Sequence, residues 1–96
     1  MKSLKDFIYV ELKAAYSALT EAEKNIIVRK STVDLAIRNY SLTQSRFQKG
    51  LSKLSDLLDA ELVLNEAKTN YINEVYNYLI AKTDFEKAAG TVLAQE

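Results

Sequence analysis

The stretch RFQKGLSKLSDLLDAE, residues 46–61, decides the fold because it interrupts the helical pattern near the middle of the chain. Gly50 is one of two glycines among 96 residues, and the chain has no proline. Glycine readily adopts the left-handed conformation that ends a helix, and serine is favoured at the cap that begins one. The stretch therefore predicts a turn at residues 49–52, with Gly50 just past the first helix, Leu51 after it and Ser52 as the cap of the second.

Apolar residues recur on both sides of this turn with alternating spacings of four and three residues, a repeat typical of coiled-coil helices. We call these positions the seam, which polar residues interrupt at Arg29, Thr43 and Glu74. In the first half they are Ile8, Leu12, Ala15, Leu19, Ala22, Ile26, Arg29, Val33, Ala36, Tyr40, Thr43 and Phe47. In the second half they are Leu57, Ala60, Leu64, Ala67, Tyr71, Glu74, Tyr78, Ala81, Phe85 and Ala88.

The seam predicts helices at about residues 4–48 and 53–89, and so short a turn makes them antiparallel neighbours. We therefore predict an all-α fold, an antiparallel two-helix coiled-coil hairpin that forms a single domain over residues 1–96. Residues that face each other across it have numbers that sum to about 103. The facing pairs include Leu19 with Phe85, Ala15 with Ala88, and Ala36 with Ala67.

The same register places the two charged seam residues, Arg29 and Glu74, opposite each other. We predict that they form an ion pair that fixes the register with little net gain in stability. The alternative is that both side chains extend to the solvent.

Composition excludes several classes of function. The formal net charge is zero, so no basic excess favours binding of nucleic acid. The halves differ, because residues 1–50 carry nine basic and five acidic side chains, whereas residues 51–96 carry four basic and eight acidic ones. The chain has no cysteine and no histidine, which removes the usual metal ligands, thiol nucleophiles and general bases. We expect no catalytic site, no cofactor and no metal. Apolar runs are too short for direct membrane insertion.

Further apolar residues lie beside the seam, where a two-helix hairpin cannot bury them. They predict assembly with other helices. On the second helix they include Leu51, Leu54, Leu58, Ile72, Val75 and Leu79, and on the first Phe7, Ala14, Val28, Leu35 and Leu42.

Residues 46–90 resemble the second helical hairpin of the TolC family of bacterial outer-membrane efflux proteins, and the resemblance extends more loosely back to about Tyr9. The resemblance rests on an aromatic residue three positions before Gly50, on Leu-Asp-Ala at residues 58–60, on regularly spaced tyrosines and on Ala-Ala-Gly at residues 88–90. It implies a homotrimer whose hairpins form a periplasmic tunnel in a tripartite efflux or type I secretion channel. It also implies that the turn, the periplasmic tip, binds a periplasmic adaptor (membrane fusion) protein. The matching tip residues are Lys49, Gly50, Leu51 and Ser52.

The resemblance further assigns Asp56 and Asp59 to the lining of the tunnel entrance, where three copies would form a negative collar that selects cations. They are equally interpretable as acids stabilised at a helix N-terminus by the helix dipole, and both roles can hold together. The sequence departs from the family at Phe47, where tyrosine is frequent, and at Ser52, where arginine occurs. A polar network that closes the entrance is therefore not expected here.

We expect the chain to be an excised periplasmic segment of a longer protein, because it lacks the β-strands, signal peptide and first hairpin of the family. One alternative is a generic coiled-coil spacer or scaffold hairpin, which explains the seam but neither the acidic pair nor the additional apolar residues. Another is an antiparallel arm of an RNA-binding enzyme, which the neutral charge and acidic second helix disfavour.

Overall fold

The computed structural model describes the backbone of residues 2–95 and the side chains of residues 6–91 and 93. It consists of helix α1, Lys2–Gln48, and helix α2, Leu54–Gln95, with no strand in the described backbone. The predicted all-α antiparallel hairpin is therefore confirmed. The prediction placed the end of α2 near residue 89, and the helix continues beyond it.

Helix α2 continues because Gly90 does not end it. Within the described backbone, a positive φ occurs at Gly50 and not at Gly90, which stays in the helical conformation. A glycine inside a helix costs only about 1 kcal/mol relative to alanine, so the flanking helix formers in Ala-Ala-Gly-Thr-Val-Leu-Ala carry the helix through it.

The hairpin divides into two compact units. The tip unit, Ile27–Asn73, contains the turn. Its core is a buried cluster of Ala36, Leu64 and Ala67, against which Val33 and Tyr40 pack. Ala36 and Ala67 therefore share one cluster, as the predicted register requires.

The terminal unit consists of Met1–Ile26 with Glu74–Glu96. Its two helical segments meet through aromatic and small residues. The rings of Tyr16 and Phe85 lie 5.9 Å apart at 54°, within the range for a tilted aromatic pair. Ala15 and Ala88, which the register predicts to face each other, line the same shallow groove.

Burial follows the seam closely. Each seam residue is buried or half-buried except Phe47, which lies next to the turn and is 38% exposed. The fully buried positions among the described side chains are Ala22, Ala36, Ala60, Leu64 and Ala67. Four of these five are alanines, so the fully buried part of the seam consists mostly of small side chains.

The apolar residues outside the seam are largely exposed. On α1 the exposed ones include Phe7, Val28, Leu35 and Leu42, and on α2 Leu54, Leu58, Ile72 and Leu79. Val75 is half-buried. These helices therefore leave large apolar side chains in contact with water, a feature typical of surfaces that pack against further protein.

Candidate functional site

The turn ends α1 with a hydrogen-bonded motif built around Gly50. The Leu51 N–H donates to the Arg46 carbonyl at 2.8 Å, and the Gly50 N–H donates to the Phe47 carbonyl at 3.0 Å. Gly50 has φ of 75°, the left-handed conformation that this pair of bonds requires. The predicted role of Gly50 as the residue just past the helix is therefore confirmed.

Leu51 is the most exposed large apolar side chain at this turn. The apolar residue that follows such a glycine often packs back against the helix residue that accepts its N–H. Here that residue is the charged Arg46, and Leu51 is 74% exposed. Folding of the hairpin therefore does not account for the apolar character of Leu51.

The second helix is capped differently from the prediction. Helix α2 begins at Leu54, and the Lys53 carbonyl accepts N–H groups from Asp56 at 3.1 Å and Leu57 at 3.4 Å. Lys53 therefore occupies the cap position, and the prediction that Ser52 caps the helix was wrong. The Asp56 carboxylate accepts the Lys53 N–H at 3.2 Å, which is the acidic half of a capping box. An acid three residues after Lys53 was the sequence signal for this cap.

Ser52 turns back towards α1 instead. Its hydroxyl donates to the Thr43 carbonyl at 3.4 Å, a long bond that bridges the turn, and its side chain is half-buried. Of the four predicted tip residues, Lys49, Gly50 and Leu51 are exposed to the solvent. Ser52 thus lies on the inner side of the turn.

The predicted entrance residues Asp56 and Asp59 are both exposed and lie three positions apart on one side of α2. Asp56 also has a structural role, because its carboxylate caps the helix. The helix N-terminal alternative therefore applies to Asp56. A role for either acid in an entrance collar stays a prediction.

The predicted register pair also stays a prediction. Arg29 and Glu74 are both half-buried on the seam.

Among the described residues, no cluster of acidic side chains is arranged to hold a metal ion. Neither helix, over the same residues, contains a segment long and apolar enough to cross a membrane.

The cap of α2 gives a first prediction. Asp56→Ala removes both the bond to the Lys53 N–H and a negative charge at the helix N-terminus, so we expect a loss of about 0.5–1 kcal/mol in the free energy of unfolding. Asp59→Ala is the matched control, because Asp59 is also exposed and lies one turn further into the helix. Its loss should be less than about half as large. Urea unfolding followed by circular dichroism measures both, and equal losses would contradict the capping role.

Comparison with known proteins gives two matches. The family model "Outer membrane efflux protein" matches residues 8–91. "Outer membrane protein TolC" of Escherichia coli (strain K12) is 28% identical over 85 residues, which cover 88% of this chain and 16% of the relative. The chain therefore spans about a sixth of the length of that curated relative. No solved structure matches.

Proposed function

Because this chain belongs to the outer membrane efflux protein family, we propose that it forms part of the periplasmic tunnel of a tripartite efflux or type I secretion channel. The family match covers most of the chain and confirms the resemblance found in the sequence. In this proposal the segment is periplasmic, has no catalytic role, and belongs to a homotrimer. Its turn docks onto a periplasmic adaptor (membrane fusion) protein.

The observation that carries the docking proposal is the exposed Leu51 on a turn of fixed geometry. Two backbone hydrogen bonds and the left-handed Gly50 hold the Leu51 backbone in place. Because the backbone that carries Leu51 is already ordered, a partner that covers the side chain causes little further loss of backbone entropy, which favours binding. We propose that Leu51 inserts between the helices of the adaptor hairpin, with Gly50 allowing close approach of the two backbones.

The exposed apolar residues beside the seam support a place in a larger helical assembly. Leucine, isoleucine and valine side chains on both helices remain in water in the isolated hairpin. Neighbouring hairpins of the proposed tunnel would cover them. A generic scaffold hairpin explains the seam but gives no role to these residues or to the exposed leucine at the turn.

The acidic pair has a place in the same proposal. Asp56 and Asp59 lie within the first two turns of α2 after the tip, and both are exposed. In a trimer, three copies of each would ring the tunnel entrance and attract cations to it. Asp56 serves as the helix cap at the same time, because capping leaves its charge in place.

Binding of this chain to helical hairpins of periplasmic adaptor proteins tests the docking proposal. Leu51→Asp replaces the apolar side chain with a charge that an apolar socket cannot solvate. We expect binding to weaken by about 30-fold or more, the range of an interface hot spot. Isothermal titration calorimetry measures the affinity, and circular dichroism should show unchanged helicity.

The matched control is Leu93→Asp, because Leu93 is 71% exposed and lies near the C-terminal end of α2. This variant should bind the adaptor hairpin as tightly as the wild-type chain. If both variants bound like the wild type, the assignment of the tip as the docking site would be wrong.

A further inference from the structure

Positive charge surrounds the exposed Leu51. The eight residues from Arg46 to Lys53 include three cations and no acid, in a chain whose net charge is zero. Arg46, Lys49 and Lys53 are all exposed. The tip is therefore a basic patch in which Leu51 is the most exposed large apolar side chain.

The backbone geometry keeps these cations close to Leu51. Lys49 and Lys53 each lie two residues from it, so their Cα atoms are at most about 7 Å from the Leu51 Cα. The bond from the Leu51 N–H to the Arg46 carbonyl holds the third cationic residue beside the same point. The Cα atoms of all three cationic residues thus lie within about 8 Å of the Leu51 Cα, a distance comparable with the Debye length at physiological salt.

The nearest acids offset this patch only in part. Asp56 is turned towards the backbone of the α2 N-terminus, where it accepts the Lys53 N–H. Asp59 lies about one helical turn further from the tip. Residues 46–56 therefore keep a positive excess of three cations over one acid, and Leu51 is the most exposed large apolar side chain among them.

We infer that the tip of this chain recognises a protein surface with an apolar socket rimmed by carboxylates. This inference rests on the proposed docking function and adds the chemistry of the partner. Leu51 fills the socket, while Arg46, Lys49 and Lys53 face acidic side chains around it. Complementary charge of this kind raises the association rate and excludes sockets with basic rims.

An anionic lipid surface is the competing partner for a basic apolar patch. Stable membrane anchoring takes a large apolar face or a lipid chain together with a polybasic cluster. Leu51 and three cations on a turn provide neither a large apolar face nor a lipid chain, so the patch favours a protein socket.

The test uses an adaptor helical hairpin made in two versions as the probe. One version carries three glutamates around the apolar residues of its loop, and the other carries glutamines at the same positions. We expect this chain to associate with the glutamate probe about ten-fold faster at roughly 50 mM salt, and the difference to shrink to about two-fold at roughly 500 mM. Surface plasmon resonance measures both rates.

Variants of this chain separate local charge from total charge. Neutralising the tip with Arg46→Gln, Lys49→Gln and Lys53→Gln together should remove the preference for the glutamate probe. The matched control neutralises three exposed lysines away from the turn with Lys68→Gln, Lys82→Gln and Lys87→Gln. The control variant should still associate at least about five-fold faster with the glutamate probe than with the glutamine probe at roughly 50 mM salt, because those three charges lie beyond the Debye length of the tip.

The outcomes distinguish this inference from the docking proposal. If both probes bound equally, or the glutamine probe bound better, the acidic socket would be refuted, while loss of binding in Leu51→Asp would still support docking. Absence of binding to the glutamate probe would also refute it. Tighter binding to vesicles with about 30% phosphatidylglycerol than to the glutamate probe would overturn it in favour of lipid.

Discussion

Replacing Leu64 with alanine is expected to destabilise the hairpin by about 2–4 kcal/mol. Leu64 is 9% exposed, and among the described side chains it is the one buried residue larger than alanine. It lies in the tip-unit cluster with Ala36 and Ala67, where Val33 and Tyr40 pack against it. Truncation loses the buried methyl groups and leaves a cavity that neighbouring alanines cannot fill. Urea unfolding followed at 222 nm measures the loss.

Leu62→Ala is the matched control for Leu64→Ala. Leu62 is two positions away in the same helix but is 58% exposed, so the same atoms are removed from a site that water already reaches. Leu62→Ala should lower the free energy of unfolding by at most about 0.5 kcal/mol, because the higher helix propensity of alanine offsets part of the loss. Similar losses for the two variants would contradict the assignment of the core to the seam.

Replacing Gly50 with valine should destabilise the turn by about 2 kcal/mol and also abolish docking. The φ of 75° at this position costs an L-residue roughly 1–2 kcal/mol, and a β-branched side chain more. Nothing lies within 4 Å of a Cβ built there, so the cost arises from backbone strain and not from a clash. Relaxation of that strain would shift the Leu51 backbone, and we therefore expect affinity for adaptor hairpins to fall together with stability.

Two controls separate strain from the mere addition of a side chain. Gly50→Asn should retain most of the stability, because asparagine tolerates the left-handed conformation. Gly90→Val should be neutral or slightly stabilising, because Gly90 is helical and its Cβ position is open. Thermal unfolding by circular dichroism ranks the three variants against the wild-type chain. Equal destabilisation by valine at the two glycines would refute the account of the turn.

Much of the fold follows from the spacing of apolar residues alone. Every seam residue except Phe47 is buried or half-buried in the structure, and Ala36 and Ala67 meet in one cluster as the register requires. This is predictable because a repeat of four and three residues defines a single face on each helix, and a short turn leaves one way to bring the faces together.

The start of α2 was not predicted correctly, for a physical reason. The motif that ends α1 uses the N–H of Leu51, so the chain is still reversing direction at Ser52. The preference of serine for cap positions is a local rule, and here the bridging bond to Thr43 replaces it. The cap then falls at Lys53, where Asp56 supplies the carboxylate.

The candidate site was predictable in part. The exposure of Leu51 and the left-handed Gly50 follow from glycine chemistry and from the position of the turn between two long helices. The inward position of Ser52 depends on a hydrogen bond across the turn, which sequence spacing does not resolve. The capping role of Asp56 had a local signal, its position three residues after Lys53. Partner identity lies outside the hairpin itself, and so we infer it from the chemistry of the exposed tip.

Photo-cross-linking from the tip tests the central claim most directly. Photo-leucine replaces Leu51 in one sample and Leu93 in the other, with minimal change in side-chain chemistry, and each chain is illuminated with an adaptor helical hairpin. The account predicts a cross-link between position 51 and the loop of the adaptor hairpin, and none from position 93. Cross-links from position 93 without any from position 51 would contradict docking through the tip.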